Sequence, residues 1–391
     1  MVDTASIDTF LTSSLRAIRS GQAAVWPESE AGDWQSREAL TEIWARIEYH
    51  GIVMLLHPAR EHLQNWPEKM TSRIAEEARL VGLWEVTHAA ALSRLVDALA
   101  QADIEAVLMK GTALAYSVYE EPAARRRGDS DLLVRPSDLE RVREVFEECG
   151  WHRDAQTHGV NYQEGWLYVS AAHFEHSVDL HWEPSDRAVL QKVLKPDDFF
   201  DHKRPLPRLA QKAWRADPAL TLIHETINQK WHEAHGYWTE HGNIRGARRL
   251  IWSLDFDLLA GVMEEADWRR LYALCQERGI GPLVAGALRA ASSDLGTNLS
   301  EAHVVQLERL ELRAEIAAFL GATDNLTEFW LNLRSAPDWG ERARMIHKRG
   351  FPPRDYLVSK YPGQSAWPTL LLQGRLLTET ALRIARKVIV R

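Results

Sequence analysis

Cysteine is nearly absent from this 391-residue chain: Cys149 and Cys275 are the two, far apart and each inside a helix-like stretch. That excludes a disulfide framework and a cysteine-based zinc site, and makes the cytoplasm the expected compartment. No window holds the roughly 18 apolar residues that a bilayer-spanning helix needs, and the N-terminus has no basic segment leading into an apolar one. Neither a transmembrane helix nor a secretory leader is expected. Positive charge is in deficit, 47 Lys and Arg against 55 Asp and Glu, for a formal net charge of −8. A chain-wide affinity for nucleic acid is therefore excluded, and only a local basic groove stays open. The glycine-rich dinucleotide and P-loop motifs and the Gly-x-Ser-x-Gly elbow are all missing, which removes those three readings. There is no repeat at a fixed period and no low-complexity tract.

What remains is an ordinary globular composition, 45% apolar and 26% charged, long enough for two or three domains. Sixteen tryptophans are many. Those beside charged residues, Trp34, Trp44, Trp84, Trp231, Trp238, Trp252 and Trp268, read as packing between helices. Residues 1–103 read as helices broken by Pro and Gly, the last marked by Leu92, Leu95, Val96 and Leu99 at helical spacing. The pattern then changes to a short apolar run, Ala106 to Met109, a Lys110-Gly111 turn and a helix. A second strand follows over Asp129 to Val134, then a helix that Ser137 and Glu140 would open as a capping box and Gly150 would close. Strand-like pieces near Trp166 to Val169 and Phe174 to Trp182 complete residues 104–185, which read as the only α/β portion.

Helices resume in 186–391, with Asp217-Pro218 as a helix start and amphipathic stretches near 220–233, 247–261, 266–277 and 303–333. The basic amphipathic stretch 369–390 reads as a helix packed on the body rather than on a membrane or partner.

Side chains at i and i+2 of a strand share a face, so Asp129 and Asp131 project two carboxylates together. Such a pair suits a hard cation such as Mg²⁺, which commonly divides its coordination between carboxylates and substrate phosphates. Asp179 in Ser177 to Trp182 offers a third carboxylate for a two-metal site. Upstream, Gly111 and Thr112 stand at a helix start, where amide N–H groups and the helix dipole favour phosphate oxygens. Lys110 and Arg125 add positive charge on either side, and Gly128 directly precedes the first aspartate.

The arrangement strand, Lys-Gly, helix, Arg-x-x-Gly-Asp-x-Asp-Leu-Leu-Val resembles the nucleotidyltransferase superfamily with the DNA polymerase β-type fold. Over about 75 residues, Val107 to Gly150 and Val178 to Trp182, it is similar to a bacterial nucleotidyltransferase-like family often encoded beside peptide-tailoring genes, lasso-peptide clusters among them. The resemblance extends weakly to Leu250 to Asp255 and to Arg349 to Pro352. It implies an α+β fold with a small mixed-sheet core (104–185) between N-terminal (1–103) and C-terminal (186–391) helical regions. It also implies Asp129, Asp131 and Asp179 as metal ligands, and Lys110, Gly111, Thr112, Arg125 and Gly128 around the nucleotide. The cofactor would be Mg²⁺, with Mn²⁺ as substitute. The donor would be a nucleoside triphosphate, ATP first, and the acceptor a hydroxyl on a peptide or protein. Ser130 departs from the superfamily, whose slot between the aspartates is usually apolar. Kinase-like phosphoryl transfer and a non-catalytic nucleotide- or protein-binding module are the alternatives.

Three other groupings stand beside this one. His173, His176 and His181 surround Asp179 and offer a zinc reading, which the neighbouring Asp-x-Asp strand, preferring a harder ion, disfavours. His232-Glu233-Ala234-His235 lacks the i, i+4 histidine spacing of a metalloprotease helix and reads as structural. Tyr237, Trp238, His241, Asn243 and Arg245 form a polar, aromatic loop that reads first as a structural connection, though its composition is able to hold a base or an acceptor.

Overall fold

The computed structural model describes residues 2–28, 33–154, 162–239, 242–244, 248–297, 299–322, 324–352 and 354–389. Helices α1 (Thr4–Arg19), α2 (Arg37–His50) and α3 (Glu68–Gln101) come first. The Asp3 carboxylate caps α1 by accepting from the Ser6 amide, and α2 stops at Gly51, whose φ of 70° is the left-handed conformation that glycine adopts without strain. At 34 residues α3 is about 51 Å long. One buried stripe runs its length, from Met70, Ile74 and Ala78 to Leu92, Leu95 and Leu99.

The sheet is built from β1 (Ala106–Met109), β2 (Asp129–Val134), β3 (His152–Arg153), β4 (Gln163–Val169), β5 (Glu175–His181), β6 (Arg204–Pro205) and β7 (Trp214–Arg215), in the order β3-β4-β5-β2-β1-β7-β6. Helices α4 (Lys110–Ser117) and α5 (Leu139–Glu148) follow β1 and β2. β2 runs parallel to β5 and antiparallel to β1, so the sheet is mixed and the fold is α+β. Alternate residues divide two cores. Val107, Met109 and Leu133 join the larger one with the helices on either side, while Leu108, Leu132, Val134, Val178 and Leu180 pack on α5 and the second half of α3.

The C-terminal helices begin with α6 (Pro218–His235), capped by Asp217 through the Leu220 amide, and continue with α7 (Leu250–Val262), α8 (Glu265–Arg278) and α9 (Gly281–Leu295). No helix among the described residues is long and apolar enough to cross a membrane.

Several expectations are corrected. The α/β portion does not stop at residue 185, because Trp214–Arg215 pairs with Leu108 and brings Arg204–Pro205 onto the sheet. Strands of two residues carry no period for a sequence to display. Short strand pairs also occur at Ala24–Val25 with Leu63–Gln64, and at Tyr237–Thr239 with Gly242–Ile244. The Ser137/Glu140 capping box is not formed. Pro136 opens a single 3₁₀ turn instead, and α5 starts at Leu139 behind Asp138 with no side-chain cap. The 303–333 stretch is three helices, Glu301–Glu308, Ala314–Leu320 and Asn325–Ser335. The helix Thr369–Ile389 sets Leu372 and Leu376 against Leu357 and Tyr361. Trp34, Trp44, Trp252 and Trp268 are buried, while Trp84 and Trp231 are half-buried.

Candidate active site

Strand register assembles the carboxylates. Asp131 lies opposite Asp179 in the parallel β2/β5 pair, Asp129 precedes Asp131 by two, and His181 follows Asp179 by two, so all four share one face. Ligand atoms of Asp131, Asp179 and His181 come within 4.8 Å of one another. Asp129 stands on the same face, solvent-exposed at the start of the strand and outside that tight group. His181 Nε2 donates to Asp131 Oδ1 at 2.9 Å, Lys110 Nζ donates to the same oxygen, and Gln163 Nε2 donates to Asp179 Oδ2 at 3.1 Å.

Lys110 reaches Asp131 because of its backbone. β1 ends extended at Met109, and Lys110 then takes a left-handed φ of 48° as α4 begins, which folds its side chain back over the sheet end. Its ammonium is held above the usual range by Asp131, Asp129 and Asp179 in spite of burial. Burial opposes ionisation of Asp131, but Lys110 and His181 outweigh it and keep the carboxyl well below the usual range. Asp129 goes the other way. Protein mass around its open side and the charges of Asp131 and Asp179 push it up to about 7, and burial and Asp131 also raise Asp179. The cluster is short of positive charge.

The donor set fits a divalent cation. Two carboxylates from adjacent strands suit a hard ion, and His181 is already committed through Nε2 to orienting Asp131, a supporting role typical around metal-bound carboxylates. The three-imidazole reading is not met among the described residues. His176 points to the opposite face against Trp84, His88 and Tyr168, and His173 is exposed on the β4/β5 turn. His232 bonds the Gly236 carbonyl and stacks on Trp252, while His235 stacks on Trp231, so both are structural.

Around the expected nucleotide, the parts separate. Gly111 lies beside Arg125, whose guanidinium is 3.5 Å from where a Gly111 Cβ would stand. Arg125 is tied from behind by Asp255 of α7, its Nε donating to Oδ1 at 2.8 Å, and Tyr119 donates to the same oxygen at 2.6 Å. The Thr112 hydroxyl turns inward, bonded to Ser130 Oγ at 2.7 Å and accepting from Arg127 Nε at 3.1 Å. That explains the polar Ser130: it faces away from the aspartates, between Thr112 and His88 Nε2 at 2.7 Å. Gly128 is exposed with open space where a side chain would go.

Glu225 and Arg249 carry no sequence motif. Glu225 sits on α6, 1% exposed, with both carboxylate oxygens lacking a hydrogen-bond partner; burial and Asp255 push it up to about 8. A charged residue inside an apolar helical run, as in Leu220 to Ile227 and Leu250 to Leu259, is the signal that marks Glu225 and Asp255. Of the aromatic connection, Tyr237 packs edge-on to Trp252, and His241 and Arg245 lie outside the described residues, as do the side chains of Trp238 and Asn243.

A mixed sheet presenting an Asp-x-Asp strand beside a third aspartate, at the N-terminus of a helix that follows a neighbouring strand, is an arrangement suited to a metal ion and phosphate groups. The chain belongs to a family described as uncharacterised nucleotidyltransferase, whose model matches residues 36–296. Nothing among curated proteins or solved structures matches it. It is thus a nucleotidyltransferase, and the matched stretch contains every residue of the candidate site, ending just after α9.

Proposed function

We propose that the protein transfers a nucleotidyl group from a nucleoside triphosphate, ATP in the first instance, to a hydroxyl on a peptide or protein, with Mg²⁺ as its metal. The observation that carries this reading is the in-register pairing of Asp131 with Asp179 beside the start of α4. Asp131 and Asp179 would hold Mg²⁺, or Mn²⁺ in its place, with Asp129 on the open side. The bound ion supplies Lewis-acid stabilisation of charge on the phosphates. Lys110, Arg125 and the first amides of α4 would bind the phosphate tail. The acceptor hydroxyl loses its proton, its oxygen bonds to the α-phosphorus, and the bond from that phosphorus to the bridging oxygen breaks, so pyrophosphate leaves with the electron pair. Asp129, two residues along the strand from Asp131 and open to solvent, is the carboxylate placed to take that proton.

The test uses the full chain with Mg²⁺, a peptide library bearing Ser, Thr and Tyr, and ATP carrying radiophosphorus at either the α or the γ position. Label from the α position alone is expected. Label from the γ position alone would establish phosphoryl transfer instead and sink the nucleotidyl reading. Asp131→Asn and Asp179→Asn should each lower turnover on the order of a thousandfold, as loss of a central electrostatic group does. Full activity in the double variant would mean that the site is elsewhere.

A further inference from the structure

At Gly128, the residue before Asp129, a pocket of about 650 Å³ opens between α3, residues 123–128 and the start of α7. Arg125, Arg126, Arg127 and Arg249 line it together with the rings of Trp84 and Tyr237. Three of the four guanidiniums have a carboxylate partner: Arg125 has Asp255, Arg126 has Glu77 and Arg127 has Glu85. Arg249 differs. It is 4% exposed, its Nε donates to the Tyr49 carbonyl at 2.5 Å, and its guanidinium lies 3.9 Å from the Tyr237 ring centroid. Among the described residues no carboxylate is in hydrogen-bond contact with it: Asp255, already bonded to Arg125, acts on it only through space, and Glu48 also lines the pocket. A buried guanidinium with no carboxylate in direct contact costs folding free energy, and its fork matches an oxyanion in two-point contact.

We propose that this pocket receives the acceptor, and that Arg249 binds an oxyanion the acceptor carries, a carboxylate or a phosphate monoester. The aromatic walls would hold the organic part of the molecule, and Gly128, which lines the pocket, leads directly to Asp129, where the hydroxyl would react. The oxyanion itself is unchanged by the reaction; its work is to fix the hydroxyl in place. The anion site stands on the geometry alone, while its assignment to the acceptor rests on the proposed nucleotidyl transfer.

The experiment is calorimetry on the full chain, saturated with Mg²⁺ and the non-transferring analogue α,β-methylene-ATP, then titrated with inorganic phosphate and, separately, with acetate. Wild type is expected to bind at least one of them, and which one binds identifies the class of oxyanion. Arg249→Met should weaken that binding roughly ten- to a hundredfold, the worth of a charge-assisted hydrogen bond, with analogue affinity kept and no lower melting temperature. Glu77→Gln, at the helix surface, should tighten binding by releasing Arg126, and it serves if Arg249→Met does not fold. Wild type binding neither probe, Arg249→Met binding like wild type, Arg249→Met losing probe and analogue together, or Glu77→Gln without effect would each overturn the proposal. If the analogue fails to bind wild type while phosphate binds through Arg249, the nucleotide reading falls and the anion site stands.

Discussion

The two faces of β2 each carry a buried polar cluster. On the face of Ser130, the hydroxyls of Ser130 and Thr112 join Arg127, which pairs with Glu85, and Tyr116 donates to that same carboxylate at 2.5 Å. One cation meets one anion, and the pair is largely buried, reaching only the wall of the neighbouring pocket. On the face of Asp131, three carboxylates share one ammonium and one imidazole, and Asp129 opens to solvent. Both clusters come from adjacent residues of the same strand. A closed, neutral network serves to hold elements together, whereas an open one with surplus negative charge is completed by something that arrives from outside.

The largest effect expected from this contrast is on stability. Arg127→Met leaves Glu85 buried without its cation and should cost about 3–5 kcal/mol in urea unfolding, whereas Arg127→Met combined with Glu85→Gln should recover most of the loss. The same variants should still gain thermal stability from Mg²⁺ wherever they remain folded, and Asp131→Asn should not. If Mg²⁺ stabilises Asp131→Asn as much as wild type, the distinction between the two faces is wrong.

A second test sharpens the contrast through pH. Glu225 is kept protonated in the folded protein up to about 8, whereas in the unfolded chain it ionises near 4.5. Between those values the unfolded state has lost a proton that the folded state keeps. Its contribution is therefore fully present below pH 4.5 and declines until pH passes 8. Glu225→Gln removes that decline. It should match wild type at pH 5 and exceed it by at most a few kcal/mol at pH 8, read from urea midpoints, and an equal gap at both values would show that Glu225 is ionised in the fold.

Much of this was legible beforehand because it rests on short-range periodicity. The i, i+2 rule puts Asp129 and Asp131 on one face, and Asp179 and His181 on one face, before any coordinates exist. Whether those two strands are neighbours is a matter of long-range register. So is the inward turn of Thr112, which depends on Ser130 and Arg127 beyond its own helix. Arg249 was illegible for a stronger reason: what sets it apart is that no carboxylate touches it, and the lack of a contact leaves no mark on a sequence. The aspartates are spaced along a strand, while the pocket is gathered from α3, the 123–128 stretch and α7, so no spacing could reveal it.

The smallest effect concerns Gly111, where helix start and phosphate cradle make opposite predictions. A Cβ there would meet the Arg125 guanidinium at 3.5 Å, an ordinary contact, and the φ of Gly111 is not left-handed. As a plain helical position, Gly111→Ala should raise stability by about 0.5–1 kcal/mol, since alanine loses less backbone freedom on folding. If the triphosphate lies against these amides, the same methyl group intrudes on it, so KM for the nucleotide should rise several-fold while the melting temperature holds or increases. Stability and affinity moving in opposite directions is a result that a structural role alone would not give. An unchanged KM would move the phosphates away from α4 and leave Lys110 with no task beyond balancing Asp131.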